Sequence, residues 1–116
     1  MSRDGSEYVI KANRLPAGEN ASTFDGHEHG ASVSFFLSRN VPGSGPDLHR
    51  HPYEEMFIIE EGNVRFTVGK EKVEAAGGDI VVVPAGTPHK FVNIGNERLR
   101  QISIHPVPRM DTEWLE

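Results

Sequence analysis

Short apolar runs separated by turn residues dominate the chain from residue 31 onward. Several runs alternate apolar and polar side chains, and Ile80-Val81-Val82-Val83 is wholly β-branched, a pattern that favours strands. No stretch keeps a helical period of about 3.6 residues over three turns. The pattern predicts an all-β fold of about seven to nine short strands, arranged as an antiparallel sandwich or barrel. The predicted strands are residues 31–37, 54–59, 64–68, 72–75, 80–83, 89–94 and 99–104.

The two ends of the chain differ from this middle part in composition and in their pattern of apolar residues. Residues 1–30 are polar and rich in glycine, and Tyr8-Val9-Ile10 is their apolar cluster, which predicts an N-terminal arm with at most one short strand. We assign residues 31–108 to the barrel and residues 109–116 to a C-terminal tail. The tail either forms one helical turn or packs as a strap, with Trp114 as its anchor.

Length and charge narrow the classes of function. A chain of 116 residues is the size of one domain, and its net charge of −5 matches phosphate backbones poorly. We therefore expect no nucleic-acid partner. No apolar run approaches the roughly 20 residues of a membrane span, and the first residues lack the apolar stretch of a signal peptide. We expect a cytoplasmic protein without a membrane partner.

Histidine and glutamate positions suggest a metal site. The chain has no cysteine, so any metal must use nitrogen and oxygen ligands. His49, His51 and Glu55 share the parity of one strand face, and His89 follows a distant loop that ends in Thr87-Pro88. Three imidazoles and one carboxylate inside a barrel suit a divalent transition metal better than calcium or magnesium, which prefer oxygen ligands.

Two motifs in this region resemble those of the cupin superfamily. The first reads Gly43, SGPDL, His49-Arg50-His51, PYE, Glu55, MFIIEE, Gly62. The second reads Gly78, DIVVV, Pro84-Ala85-Gly86, TP, His89, KFV, Asn93, and both match the superfamily spacing throughout. Fifteen residues separate Gly62 from Gly78, a short distance that is similar to that of small microbial members.

The resemblance implies a fold and a cofactor. It implies a double-stranded antiparallel β-helix, or jelly-roll barrel, that binds one divalent transition-metal ion per chain: iron, manganese, nickel, copper, cobalt or zinc. His49, His51, Glu55 and His89 would be its ligands. It also implies a homodimer, in which the polar arm could supply an exchanged strand. The glycines, Pro84 and Asn93 are interpreted as architectural.

Other polar residues near the motifs have structural and functional interpretations. Tyr53 and Glu55 are the catalytic candidates. The Tyr53 phenol either donates to a metal-bound oxygen or a carboxylate, or only packs. Glu55, besides binding the metal, could leave it transiently to act as a base. Glu54 should point outward. His27 and His29 form a second His-x-His pair, expected in a solvent-facing loop or, less favoured, closing over the barrel mouth.

The orientation of the last predicted strand decides the place of His105. If Ile102 and Ile104 face inward, the interpretation we favour, His105 is an outer residue; the alternative places Gln101, Ser103 and His105 in the cavity. The expected core and cavity lining comprises Phe35, Leu37, Phe57, Ile59, Phe66, Val81, Val83 and Phe91. Arg39 and Arg50 could attract an anionic substrate or lie on the surface.

Three functions remain open at this point. The first is a metal-dependent enzyme, of dioxygenase or isomerase type, acting on a small oxygenated organic molecule. The second is a non-catalytic module that binds or senses a small ligand. The third is a structural metal site that ties two sheets together. A roomy apolar cavity beside the cluster would favour the first, and a filled cavity the third.

Overall fold

The computed structural model describes residues 5–116, which form ten strands and three short 3-10 turns. Two sheets of five antiparallel strands each, as the motifs predicted, make a jelly-roll sandwich. The strands are β1 (Ala21–Phe24), β2 (Ser34–Asn40), β3 (His49–Arg50), β4 (Glu55–Glu61), β5 (Asn63–Val68), β6 (Glu71–Ala76), β7 (Ile80–Val83), β8 (His89–Asn93), β9 (Leu99–His105) and β10 (Glu113–Trp114).

The order of strands brings distant parts of the chain together. The first sheet has the order β1-β2-β9-β4-β7, and the second has the order β10-β3-β8-β5-β6. Inner side chains of both sheets meet in one apolar core, where the rings of Phe57 and Phe66 lie 4.8 Å apart. The buried core cluster consists of Phe57, Ile59, Val64, Phe66, Val83 and Leu99. Val81 and Phe91 pack against it while half-buried.

Each end of the chain contributes one short strand to a sheet. The sequence predicted at most one short strand in the N-terminal arm, and a strap as one of two alternatives for the tail. The N-terminal segment holds one short strand, β1, which pairs with β2 of the same chain. The tail packs as a strap through β10, whose residues Glu113 and Trp114 pair with Arg50 and His49 of β3. The apolar cluster of residues 8–10 is exposed.

Glycines and one asparagine shape the turns near the motifs. Gly62 and Gly78 have φ of 104° and 100°, the left-handed region that favours glycine. Asn93 is buried and bridges three segments: its Nδ2 donates to the carbonyls of Asn40 and Glu97, and its Oδ1 accepts from the Gly95 amide. These residues are architectural, as the sequence suggested.

Strand β9 lies in the opposite orientation to the one we favoured. Gln101, Ser103 and His105 are buried inside the barrel, whereas Ile102 and Ile104 lie half-buried on the outer face of the first sheet. The prediction that His105 is an outer residue is therefore wrong. It failed because it assumed that apolar side chains of a strand must face the core of the same chain.

The outer face of the first sheet is instead apolar across four strands. The strand register places eight apolar residues in two rows that cross the strands. Phe35 and Leu37, which we expected in the core, belong to these rows instead. Ile80 and Val82 are 61% and 56% exposed, and the face carries no charge within these rows. We call it the outer apolar face; its rows are Phe35-Ile104-Met56-Val82 and Leu37-Ile102-Ile58-Ile80. Across residues 5–116, no helix is both long enough and apolar enough for a membrane span.

Candidate metal centre

Four residues from three strands and one loop converge inside the barrel. His49 lies in β3, Glu55 begins β4, His89 begins β8, and His51 lies between β3 and β4. All four are buried, and one ligand atom from each lies within 4.8 Å of the others. His49 and His89 are also register partners in the second sheet. The structure thus brings together the four residues that the motifs single out.

Backbone carbonyls fix the orientation of the three histidine rings. Nδ1 of His49 lies 2.7 Å from the Asp47 carbonyl, and Nδ1 of His89 lies 2.9 Å from the Thr87 carbonyl. Nδ1 of His51 lies 2.9 Å from the carbonyl of Asp111 in the C-terminal tail. Because a carbonyl only accepts hydrogen bonds, each Nδ1 carries the proton. The lone pair of each neutral ring is therefore on Nε2.

The Nε2 atoms of two of these rings approach one oxygen of Glu55. Oε1 lies 3.0 Å from His51 Nε2 and 2.8 Å from His89 Nε2. The His51 contact lacks the alignment of a hydrogen bond, so this buried Nε2 has no hydrogen-bond partner among the described residues. Lone pairs and a carboxylate oxygen repel each other unless a cation or a proton lies between them. The donor set therefore fits a divalent transition metal.

Burial and hydrogen bonding compete for the ionisation of this cluster. Burial raises the pKa of Glu55, but its close contacts with His105, His51 and His89 outweigh burial and hold that pKa well below its ordinary value. Burial lowers the pKa of His49. Burial also lowers the pKa of His51, but its close contact with Glu55 and its hydrogen bond to the Asp111 carbonyl leave that pKa raised overall. The lowered pKa favours an ionised Glu55, whose charge would balance that of a bound cation.

A further imidazole lies at the centre, at a position that the sequence offered only as the less favoured alternative. His105 Nε2 lies 3.1 Å from Glu55 Oε2, and its Nδ1 lies 2.6 Å from the hydroxyl of Tyr53. The Tyr53 hydroxyl therefore contacts His105 rather than Glu55 itself, and it reaches the carboxylate through the His105 ring. The signal that could have found His105 is parity with Leu99, the buried apolar residue that begins β9.

The C-terminal strap forms part of the centre. Besides the Asp111 carbonyl, the Thr112 hydroxyl lies 3.2 Å from Nδ1 of His51. The Trp114 ring lies 5.0 Å from the ring of His49. A two-pronged ion pair between Arg50 and Glu113, at 2.8 and 3.1 Å, attaches the strap to β3. Two of the candidate ligands are thus held by the last residues of the chain.

A cavity of about 300 Å³ lies beside the cluster. Its polar lining includes His49, His51 and Glu55, and none of the described residues that line it is a lysine or an arginine. The rest of its wall is largely aromatic and small, as in many small-molecule sites. The further lining residues include Phe36, Phe57, Phe91, Ser103, His105 and Trp114.

The other candidates lie away from the cluster. Glu54 is exposed, as predicted. His27 and His29 are exposed in a 3-10 turn, where His27 Nε2 accepts from Arg109 at 2.6 Å. Arg39 donates to Ser22 and to the Gly18 carbonyl, and Arg50 is paired with Glu113.

The fold and this cluster define a small jelly-roll barrel with three histidines and a glutamate beside its cavity. Residues 36–105, more than half of the chain, match the family described as cupin domain. The chain therefore belongs to the cupin family, as the two motifs indicated.

The match to each of three relatives covers only part of this chain and part of the relative. An uncharacterized protein of Methanocaldococcus jannaschii is 43% identical over 77 residues, which are 64% of this chain and 62% of that protein. An uncharacterized protein of Streptomyces coelicolor is 32% identical over 87 residues, which are 68% of this chain and 82% of that protein. Gentisate 1,2-dioxygenase of Ralstonia sp is 30% identical over 81 residues, which are 67% of this chain and 23% of the enzyme.

Solved structures of oxalate decarboxylases share the fold. The Bacillus subtilis enzyme superposes with a TM-score of 0.76 at 23% identity, over 88% of this chain and 29% of the enzyme. The formate complex of the Lactobacillus farciminis enzyme gives a TM-score of 0.76 at 23% identity, over 85% of this chain and 32% of that enzyme. At this identity the likeness shows the fold.

Proposed function

We propose that the protein binds one divalent transition-metal ion through His49, His51, Glu55 and His89 and is a metal-dependent enzyme. The observation that carries this proposal is the common tautomer of the three rings, whose Nδ1 atoms are each bonded to a backbone carbonyl. Ligand histidines in metalloproteins are oriented in this way by the acceptor behind the ring. The candidate metals are iron, manganese, nickel, copper, cobalt and zinc.

The cavity supports an enzyme over a purely structural ion. At about 300 Å³ it has the volume of a small-molecule site, and it adjoins the cluster rather than being filled by side chains. A bound ion of this kind supplies Lewis-acid polarisation, a lower pKa for bound water or, if redox-active, dioxygen activation. The chain would contribute an aromatic wall that excludes water and orients the substrate.

The substrate class follows from the same lining. With no lysine or arginine among the described lining residues, a substrate would depend on the cluster to hold its charged or polar oxygen atoms. A small oxygenated organic molecule meets this requirement. Dioxygenase or isomerase chemistry agrees with it, and gentisate 1,2-dioxygenase is a relative that acts on such a molecule. The Mn(II) centres of Bacillus subtilis oxalate decarboxylase support manganese among the candidate metals.

Elemental analysis of protein purified without a metal-affinity step tests the site. We expect about one equivalent of a transition metal in the wild type and its loss in His51→Ala. His27→Ala is the matched control, because His27 is an exposed member of the other His-x-His pair. A wild type without metal after reconstitution would contradict the proposal. If the wild type does bind metal, oxygen-uptake and isomerisation screens on the loaded protein separate an enzyme from a non-catalytic ligand-binding module.

The proposed assembly is a homodimer through the outer apolar face. Two copies can bury the same uncharged rows against each other in a two-fold arrangement. We favour this face over strand exchange by the N-terminal arm as the dimer contact, because β1 of the arm already pairs with β2 of its own chain. A cytoplasmic location is consistent with such a protein and remains a prediction.

A further inference from the structure

Tyr53 and His105, neither of which belongs to the proposed ligand set, form a chain of contacts that leads to Glu55. The Tyr53 hydroxyl lies 2.6 Å from His105 Nδ1, and His105 Nε2 lies 3.1 Å from Glu55 Oε2. His105 is only 1% exposed and lies at the end of β9, across the barrel from β3 and β8. This chain reaches the carboxylate on the oxygen that His51 and His89 do not contact.

The hydrogen-bond partners of Tyr53 indicate where the protons lie. The Asp111 amide donates to the Tyr53 oxygen at 3.2 Å. The phenol is satisfied on both sides when its own proton is donated to His105 Nδ1. His105 then carries its ring proton on Nε2, facing Glu55 and the cavity. This is the opposite tautomer to that of His49, His51 and His89.

The two oxygens of Glu55 therefore have different surroundings. Oε1 faces His51 Nε2 and His89 Nε2 at 3.0 and 2.8 Å. Oε2 faces His105 Nε2 at 3.1 Å; the contact is short of full hydrogen-bond alignment, and the N–H dipole still attracts the anion. One oxygen is thus presented to lone-pair nitrogens and the other to a donor.

We propose that Tyr53 and His105 are positioning residues, a hydrogen-bonded dyad that presents the Nε2–H of His105 to Oε2 of Glu55 and thereby directs Oε1 toward the histidine cluster. The consequence for metal binding rests on the proposed function: the carboxylate would offer one oxygen rather than two. Acceptors and donors behind metal ligands commonly tune affinity in this way. Neither residue belongs to the proposed ligand set.

Packing around the dyad supports a fixed orientation. The Tyr53 ring stacks on the His51 ring at 5.1 Å with an interplanar angle of 9°. The His105 ring meets His51 edge-on at 4.7 Å and Phe36 edge-on at 5.6 Å. A ring confined on these sides keeps its Nε2 toward Glu55. The dyad is thus rigid enough to set the direction of a carboxylate.

Long-range proton–nitrogen NMR correlations test the tautomers without any metal-dependent activity. In the wild type, both metal-free and loaded with diamagnetic zinc, we expect His105 to be protonated on Nε2 and unprotonated on Nδ1. His49, His51 and His89 should show the reverse pattern. A His105 ring protonated on Nδ1 would overturn the proposal, and Tyr53→Phe should raise the population of that tautomer.

Metal affinity tests the consequence, measured by chelator competition. His105→Leu should weaken metal binding about 10-fold, while His105→Gln, which keeps a donor, should restore most of it. Ser103→Ala is the control, because it removes a different polar group from the same strand and cavity wall. Tyr53→Phe should cost less affinity in the His105→Leu background than in the wild type, since Tyr53 acts in part through His105; what remains reflects its contact with the Asp111 amide.

The outcomes separate this inference from the metal proposal. If His105→Leu behaves like Ser103→Ala, or if Tyr53→Phe and His105→Leu add independently, the positioning role is wrong although the metal site stands. If the wild type binds no metal, the proposed function fails, and the tautomer spectra alone decide whether the dyad donates to Glu55. Circular dichroism of each variant excludes unfolding as the cause.

Discussion

The indole of Trp114 lies across the imidazole of His49, with ring centroids 5.0 Å apart. The two residues are also register partners in β10 and β3. A residue two positions from the end of the described chain therefore packs directly on a candidate metal ligand. The same segment accepts a hydrogen bond from His51 through the Asp111 carbonyl. The C-terminal tail is thus part of the candidate centre and not an appendage to the barrel.

Removal of residues 111–116 should weaken metal binding without unfolding the barrel. His51 would lose the acceptor that fixes its tautomer, and loss of such a partner commonly costs about 10–100-fold in affinity. The fold should survive because none of the buried core cluster lies in the tail. Chelator competition measures the affinity, and circular dichroism measures the fold.

Trp114→Ala is the matched comparison for the truncation. It removes the ring from His49 but leaves the Asp111 carbonyl and the Thr112 hydroxyl beside His51. We therefore expect a smaller loss of affinity than in the truncated chain. Equal affinity in the wild type and the truncated chain would show that the tail has no role at the centre.

A lysine in the outer apolar face should separate the proposed homodimer. In Val82→Lys, the ammonium group would have to be buried against an uncharged surface of the partner, which costs several kcal/mol unless it is paired. Sedimentation velocity should show a dimer for the wild type and a monomer for the variant. Val73→Lys is the control, because Val73 is a similarly exposed valine, at 41% against 56%, on the other sheet.

Each alternative result for the dimer has a clear meaning. A wild type that sediments as a monomer at micromolar concentration would contradict the proposed assembly. Dissociation by Val73→Lys, but not by Val82→Lys, would move the interface to the second sheet.

The sequence predicted the centre better than it predicted the surroundings. Motif spacing, strand parity and turn residues can all be read without tertiary information. They were enough to select the four residues of the centre: His49, His51, Glu55 and His89. The orientation of β9 could not be found in that way. Its alternating pattern allows either set of side chains to face the interior. In the structure Ile102 and Ile104 point outward, to a surface that a single chain leaves uncovered.

The sequence suggested a strap anchored by Trp114 as one of two alternatives for the tail, but it did not predict which residues the tail contacts. Residues 111–116 have no apolar alternation that would predict a strand pairing with His49-Arg50, more than 60 positions earlier. The pairing depends on a backbone ladder, one ion pair and one ring contact. Such contacts form between segments only after the barrel has placed them side by side.

Asn93→Asp should destabilise the fold strongly. An aspartate keeps the oxygen that accepts from the Gly95 amide but places a carboxylate oxygen against the carbonyls of Asn40 and Glu97. A buried acceptor pair without donors costs about 1–3 kcal/mol per group, so we expect a loss of about 3 kcal/mol or more. Urea unfolding measures it. Asn96→Asp, exposed in the same turn, should change the free energy of unfolding by less than about 0.5 kcal/mol.

Two glycines of the loop before β3 should respond to alanine in different ways. A Cβ at Gly45 would lie 1.8 Å from the Phe91 carbonyl oxygen and 2.8 Å from its carbon, so the loop or β8 must move. Gly43 has nothing within 4 Å of such a Cβ, but its φ of 80° is left-handed. Gly43→Ala should therefore cost only about 1–2 kcal/mol of backbone strain.

Gly45→Ala should cost more than Gly43→Ala, because the clash is with backbone that also carries His89 at the start of β8. We expect urea unfolding to rank the wild type, Gly43→Ala and Gly45→Ala in descending stability. Metal affinity should fall only in Gly45→Ala, since movement of β8 displaces a candidate ligand whereas strain at Gly43 does not. The reverse ranking would mean that the loop yields more easily than the close approach to Phe91 implies.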